Sequence, residues 1–176
     1  MTEQPNVHRL EEIRERKVNA MRPRQPEPTL AARHDHTVRR FSRDFAAIEA
    51  ARSVEIAEAE ARLLIAQVCA TFDVPVPALA FNPRRHTTTG ECWAPRSQRR
   101  FDVGEAKLRA WEDARGRSWP EHGQIRLGAI TTLGTLAHEL GHHLTHHRER
   151  HGTVAHGKVW VGWFDQALTE LIGGGR

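Results

Sequence analysis

The segment that most constrains this chain is residues 135–144, which read Thr-Leu-Ala-His-Glu-Leu-Gly-His-His-Leu. On an α-helix, His138 and His142 lie on one face, about one turn apart. Both imidazoles can therefore reach one metal ion, and Glu139 lies beside them, where it can accept a proton from a water. This His-Glu-x-x-His spacing is typical of zinc sites and predicts His138 and His142 as ligands and Glu139 as a general base.

The alternative is that two histidines and a glutamate have this spacing by coincidence on a solvent-exposed helix. The flanking residues argue against this alternative. An apolar stripe anchors the helix in a core. It consists of Leu133, Leu136, Ala137, Leu140 and Leu144. Because Gly141 lowers helix propensity, we expect another element to pack closely against it. Thr131 or Thr132 is the expected N-cap, and the helix is expected to run to about His147.

Length and composition limit the other possibilities. A chain of 176 residues is long enough for one domain with a sizeable core. Its net charge of +4 permits an acidic or nucleic-acid partner, and a basic surface alone explains it equally well. Cys69 and Cys92 have no Cys-x-x-Cys spacing and predict no disulfide scaffold. No signal peptide or long apolar run is found, so we expect a cytoplasmic protein that does not bind membranes.

Composition divides the chain into a predicted tail and a predicted domain. Residues 1–38 are rich in charge and contain closely spaced prolines, which favours a disordered tail over the alternative of a basic docking arm. Residues 39–176 form the predicted domain. It is expected to begin with a long helix over residues 38–72, which Ser42 can cap and which the segment Val74-Pro-Val-Pro77 ends.

Short strands and further helices are expected after this helix. Residues 79–81, 91–94 and 99–103 are predicted as antiparallel strands, and residues 107–114 as a short helix. Residues 124–128 alternate apolar and polar, which predicts a strand that either pairs with an extended substrate or is an ordinary edge strand. A last helix over residues 156–172 carries an apolar face and ends at a run of glycines.

A catalytic zinc site usually has three protein ligands, so one more is needed. His156 is favoured, because the preceding loop lets the chain turn back and the last helix would hold that region against the core. Glu170, on the last helix, is the rival. Distance along the helix or a polar context disfavours the remaining candidates, which are His146, His147 and His151. The extra histidines are expected to form a polar helix face, with one of them supporting a ligand.

With these residues identified, the sequence resembles the SprT-like family of zinc metallopeptidases over about residues 40–172. That family has a His-Glu-x-x-His helix followed by a His-Gly-x-x-aromatic stretch. The corresponding residues are His138-Glu139-Leu140-Gly141-His142 and His156-Gly157-Lys158-Val159-Trp160. The chain is also similar to small actinobacterial and phage metallohydrolases with a His-Glu-Leu-x-His-His core.

The resemblance implies a fold, a cofactor and a set of site residues. The implied fold is α+β and zincin-like, with a long N-terminal helix, a small antiparallel-rich sheet, the metal helix and a C-terminal helix. The implied cofactor is Zn²⁺, held by His138, His142 and His156, with Glu139 as general base. Trp160 departs from the family pattern, which often has Phe there. Another zinc signature, His-Glu-x-x-His-x-x-Gly-x-x-His, is excluded by Thr145 and Arg148.

The motif and the resemblance together predict a zinc-dependent metallohydrolase, specifically a metallopeptidase that cleaves peptide bonds with a Glu-activated water. The expected partner is a protein or peptide substrate, and we expect a monomer. Two alternatives stay open: a hydrolase that acts on another amide, and a nucleic-acid-associated protein whose zinc is structural. A second oxyanion donor is not singled out among the candidates, which are His86, His122 and Arg126.

Overall fold

The computed structural model describes residues 30–84, 90–149 and 156–173, with side chains from residue 36 onward. The chain divides into two units, Met1–Arg33 and His34–Arg176, and the architecture below is that of the second, except that its first helix begins at Leu30. The described residues form a mixed α+β structure with seven α-helices and three strands. Most of the predicted tail, residues 1–29, lies outside the described residues. No helix in the described ranges is both long enough and apolar enough to cross a membrane.

Helices and strands follow one another along the described chain as α1 (Leu30–Phe41), α2 (Phe45–Ala51), α3 (Glu58–Thr71), β1 (Ala78–Asn82), β2 (Glu91–Trp93), α4 (Arg96–Val103), α5 (Glu105–Arg115), β3 (Gln124–Gly128), α6 (Leu133–Arg148) and α7 (Lys158–Gly173). The predicted metal helix is α6, and the predicted last helix is α7. The predicted short helix over residues 107–114 is α5, and β3 has the bounds that the sequence predicts.

The predicted long helix over residues 38–72 is wrong, because the chain breaks it twice. Ser42 does not cap it; its hydroxyl donates to Oδ1 of Asp165 at 2.8 Å. Asp44 is the N-cap of α2 and accepts from the Ala47 amide at 2.9 Å. Between α2 and α3, the chain is extended and forms a bridge from Glu55 to Thr132 at the start of α6. Side-chain capping and this bridge therefore outweigh the helix propensity of the segment.

The sheet is mixed rather than antiparallel-rich, and its order is β1-β3-β2. β1 pairs with β3 in parallel over five residues, and β2 pairs with β3 antiparallel over three. A parallel pair needs a long crossover connection, and β2, α4 and α5 lie between these two strands in the chain. Residues 99–103, predicted as a strand, belong to α4. Because β3 is paired on both sides, the prediction that it lies at an edge is wrong, and the edge strands of the described sheet are β1 and β2.

The main core lies between the sheet, α6 and α7. Ile125 and Leu127 of β3 are fully buried, and they meet the buried stripe of α6. Most of the predicted stripe is confirmed: Leu136, Ala137, Leu140 and Leu144 have no exposed surface. A Cβ on Gly141 would lie 3.1 Å from Cα of Phe164, so the expected close packing against this glycine is confirmed and α7 supplies it.

Candidate metal centre

Helix α6 carries the first two candidate ligands. Thr132 is its N-cap and accepts from the Thr135 amide at 3.1 Å, which satisfies one of the free N–H groups at the helix start. In the second and third turns of the helix, His138 and His142 project from the same face. Their Nε2 atoms are 3.2 Å apart, as the four-residue spacing predicts.

His156 brings the third imidazole to this pair from just before α7. Its Nε2 lies 2.9 Å from Nε2 of His142 and 3.3 Å from Nε2 of His138. The backbone of His156 has φ of 59°, in the left-handed region where a non-glycine residue is uncommon. The carbonyl of Gly157 then accepts from the Val161 amide at 3.0 Å and starts α7. This tight turn aims the imidazole back at α6.

The three nitrogens fit a single metal ion. A tetrahedral site with metal–nitrogen bonds of about 2.0–2.1 Å has nitrogen–nitrogen distances of roughly 3.3–3.4 Å, close to the 2.9–3.3 Å of this cluster. One ion could therefore bind all three nitrogens at once. His138, His142 and His156 can therefore hold one metal ion. Imidazole donors suit zinc, copper, iron and nickel.

Trp160 supports all three imidazoles from one side. Its ring centroid lies 4.9 Å from that of His138, 5.2 Å from that of His142 and 4.8 Å from that of His156. Trp160 is fully buried, and it stacks on Phe164 with centroids 5.2 Å apart. Since Phe164 is also the residue that contacts Gly141, the close packing of α7 on α6 places this aromatic floor under the metal ligands.

Glu139 lies at the edge of the cluster, and only 4% of its surface is exposed. Its Oε1 is 4.0 Å from Nε2 of His138, within reach of a water that is shared with an ion on that nitrogen. The start of β2 covers the other side of the carboxylate. A Cβ on Gly90 would lie 2.7 Å from Oε1. Burial of the Cys92 thiol and the nearby Glu139 carboxylate raise the pKa of Cys92 well above its ordinary value.

The other histidines of α6 have different surroundings. His143 is fully buried and donates from Nε2 to the Pro75 carbonyl at 2.7 Å, and burial lowers its pKa to about 4. The predicted polar helix face is therefore wrong for this residue. Burial also lowers the pKa of His146 and of His147. The Nε2 of His147 is 3.4 Å from the His122 carbonyl, so His147 contacts the loop before β3.

The remaining sequence candidates lie elsewhere or outside the described residues. Glu170, the rival ligand, accepts from the Thr71 hydroxyl at 3.5 Å and is not part of the three-histidine group. Arg126 pairs with Glu91 at 3.4 Å and covers the Trp93 ring, so these contacts do not support it as an oxyanion donor. His86 and His151 lie outside the described residues.

Sequence reasoning missed the contribution of β2 to the site. Gly90 and Cys92 face Glu139, yet neither belongs to a metal motif. Gly90 ends a run of threonines directly before a short strand, and a glycine in such a place can mark a close approach of another group. That signal was present in the sequence, although it does not say which group approaches.

Comparison with family models, with curated proteins and with solved structures finds no match for this chain.

Proposed function

We propose that this protein is a zinc-dependent metallohydrolase that cleaves peptide bonds. The observation that carries the proposal is the convergence of three imidazole nitrogens within 3.3 Å of one another, next to the buried carboxylate of Glu139. Three protein ligands leave a fourth position for water or substrate, which is typical of catalytic zinc sites, whereas structural zinc sites usually have four protein ligands.

The ion that we propose is Zn²⁺, because the His-Glu-x-x-His spacing and a tetrahedral set of imidazole donors suit it. Bound by these histidines, zinc would polarise a substrate carbonyl and lower the pKa of a water to about 7. The side chain of His138 is 27% exposed, so solvent and substrate can approach the cluster at that ligand.

Glu139 is the group that we assign to proton transfer. It would accept the proton of the attacking water and later deliver it to the leaving amine. Its position between β2 and His138 holds the carboxylate in one place, and burial keeps bulk water from competing for it. The imidazoles of His138, His142 and His156 are held by Trp160, so they would need little rearrangement during the reaction.

An extended peptide would bind along β2. Among the described residues β2 pairs with β3 alone, and an edge strand can add a further strand through main-chain hydrogen bonds. β2 is also the strand whose start contacts Glu139. A substrate that adds to this edge would therefore run past the proposed base, a role that the sequence had suggested for β3.

The order of elements supports the SprT-like resemblance as part of the proposal. Helices precede the small sheet, the metal helix follows β3, and α7 follows the third histidine. The N-terminal helix is broken and two helices lie between β2 and β3, but the remaining order is the one that the resemblance implies, and on this ground we propose a zincin-like arrangement of α6, α7 and the sheet edge.

The proposal is tested with wild type and Glu139→Gln, both assayed for zinc content and for cleavage of casein and of a peptide library. We expect about one zinc per chain in both proteins, because Glu139 is not a ligand. We expect cleavage by the wild type that a chelator abolishes, and a kcat at least about a hundredfold lower in Glu139→Gln. Equal cleavage by the two proteins would remove the general base from the mechanism.

A second candidate function, association with single-stranded nucleic acid, is favoured by a separate surface. Trp93, Trp111 and Trp119 form an aromatic cluster, with centroids 4.9 Å apart for Trp93 and Trp119. Four guanidinium groups cover its rings: those of Arg99, Arg115, Arg117 and Arg126. In the described part of the chain, Arg126 is the one of these four with a carboxylate within ion-pair distance.

Guanidinium groups held on aromatic rings without a carboxylate can bind phosphates. A labelled oligonucleotide and a salt titration test this candidate, with Arg115→Gln/Arg117→Gln as the variant and Arg62→Gln, whose arginine pairs with Glu58 on α3, as the control. We expect the log-log salt slope to decrease by about 0.7 for each phosphate that the variant no longer neutralises. An unchanged slope in the double variant would exclude this surface.

A further inference from the structure

Gly90, directly before β2, lies against the carboxylate of Glu139. A Cβ added to Gly90 would lie 2.6 Å from Cγ, 2.7 Å from Oε1 and 2.8 Å from Cδ of Glu139. These separations are shorter than van der Waals contact, so any side chain at position 90 would displace Glu139. Position 90 therefore has no room for a side chain while Glu139 keeps its place.

Conformation does not explain this glycine. The described glycines with positive φ are Gly104, Gly116 and Gly123, and Gly90 is not among them. Gly141 also makes a close contact, but its neighbour is the backbone of Phe164, and the contact serves helix packing. At Gly90 the neighbour is the side chain that we assign to proton transfer.

Glu139 has little room to give way. It is 4% exposed, Oε1 is 4.0 Å from the His138 imidazole, and the Cys92 thiol is close enough for the carboxylate to raise its pKa. Gly90 directly precedes β2, and Cys92 lies two residues further on, inside the strand. This segment therefore packs against the carboxylate, and the approach is closest at Gly90.

We propose that Gly90 is a positioning residue for Glu139, an inference that rests on the proposed function of that carboxylate. The absence of a side chain at position 90 lets the carboxylate lie between β2 and His138, where it can share a water with an ion on the three histidines. A displacement of about 1 Å from a productive geometry can lower a rate by about a hundredfold. The three atoms nearest to a Cβ at position 90 all belong to Glu139, so we expect a substitution there to leave the metal ligands in place.

The test combines a double-mutant cycle with kinetics. The cycle uses wild type, Gly90→Ala, Glu139→Ala and the double variant, with zinc content and Tm measured for each. In the wild-type background we expect Gly90→Ala to lower Tm by about 3–10 °C, because an extra methyl must be accommodated. In the Glu139→Ala background the methyl has space, and we expect little or no further fall in Tm. An equal fall in both backgrounds would overturn the proposal.

Kinetics give the functional half of the test. For Gly90→Ala we expect about one zinc per chain, a kcat about a hundredfold lower and KM within about twofold of wild type. Gly162→Ala is the matched control, because a Cβ there meets no described atom within 4 Å, and it should retain full kcat. A Gly90→Ala variant with wild-type kcat would also overturn the proposal.

The two proposals fail separately. A wild type that binds zinc and hydrolyses nothing would contradict the proposed function, and the Tm cycle would still measure the contact between Gly90 and Glu139. If Gly90→Ala alone does not fold, folding of the double variant supports the proposal, and failure of both to fold contradicts it.

Discussion

Two faces of helix α6 carry histidines in opposite environments. On one face, His138 and His142 are partly exposed and direct Nε2 toward His156. On another face, His143 is fully buried, donates to the Pro75 carbonyl and has its pKa lowered to about 4 by burial. The surroundings, and not the residue type, decide which imidazole can bind a metal and which one stabilises the core.

Because of this difference, metal affinity and the stability of the metal-free chain can be tested separately on one helix. A histidine of the ligand face should contribute mainly to metal affinity, and little to the stability of the metal-free chain. The buried histidine should contribute to the stability of the metal-free chain, and little to metal affinity. Substitutions on each face, and in the residues packed against them, test this division.

The largest effect is expected from His156→Asn. Asparagine tolerates the left-handed backbone at φ of 59°, so the turn before α7 should persist while the third ligand is removed. We expect zinc affinity, measured by competition with a chromogenic chelator, to fall by at least about a thousandfold. Peptide cleavage should fall below detection. His147→Asn is the control, because His147 contacts the His122 carbonyl instead of the cluster. Wild-type affinity in His156→Asn would contradict the ligand assignment.

The second prediction concerns Trp160, whose ring packs against the three ligand imidazoles. Trp160→Ala should lower the free energy of unfolding by about 3–5 kcal/mol, because it empties a fully buried site. It should also weaken zinc binding, since Trp160 contacts all three imidazoles. Trp160→Phe retains a ring, and phenylalanine is what the SprT-like pattern often has there, so we expect a smaller loss. Chemical denaturation and zinc titration of both variants test this, and equal losses would contradict it.

The third prediction concerns the stability of the metal-free chain, to which the buried His143 should contribute more than the ligand His142. His143→Ala should lower the free energy of unfolding of the metal-free chain by about 2–3 kcal/mol, because it leaves a cavity and an unbonded Pro75 carbonyl. His142→Ala should change that free energy by less, because His142 is partly exposed. Urea unfolding with a chelator present measures both. If His142→Ala proved the more destabilising variant, the division between the two faces would be wrong.

The last and most gradual effect is a pH dependence that comes from His143. Above its ordinary pKa of 6.5, the imidazole is neutral in both the folded and the unfolded chain. As pH falls from 6.5 to about 4, the unfolded chain binds a proton that the folded chain does not. The free energy of unfolding should therefore fall, by at most about 1.4 kcal/mol per pH unit. His143→Gln can still donate to Pro75 and should show a shallower slope, with a chelator present throughout.

The site was more predictable from the sequence than the fold that surrounds it. His138, Glu139 and His142 lie within five residues, so helical periodicity alone fixes their relative positions. His156 is fourteen residues from His142, and the glycine after it and the apolar face of α7 favoured it over Glu170. The structure brings its Nε2 to 2.9 Å from that of His142.

The features that the sequence did not predict depend on contacts between segments far apart in the sequence. The break after Phe41 depends on Asp165, more than a hundred residues away, which binds the Ser42 hydroxyl. The parallel pairing of β1 with β3 depends on how α4 and α5 fill the connection. The contact between Gly90 and Glu139 joins residues forty-nine positions apart, and local patterns do not encode such distances.

The most direct test of the central claim is X-ray absorption spectroscopy at the zinc edge on the zinc-loaded protein, compared with His156→Asn. We expect three imidazole nitrogens and one oxygen from water at about 2.0–2.1 Å in the wild type, with one imidazole fewer in the variant. A wild-type spectrum with four protein ligands, or with two imidazoles that the His156 substitution leaves unchanged, would contradict it.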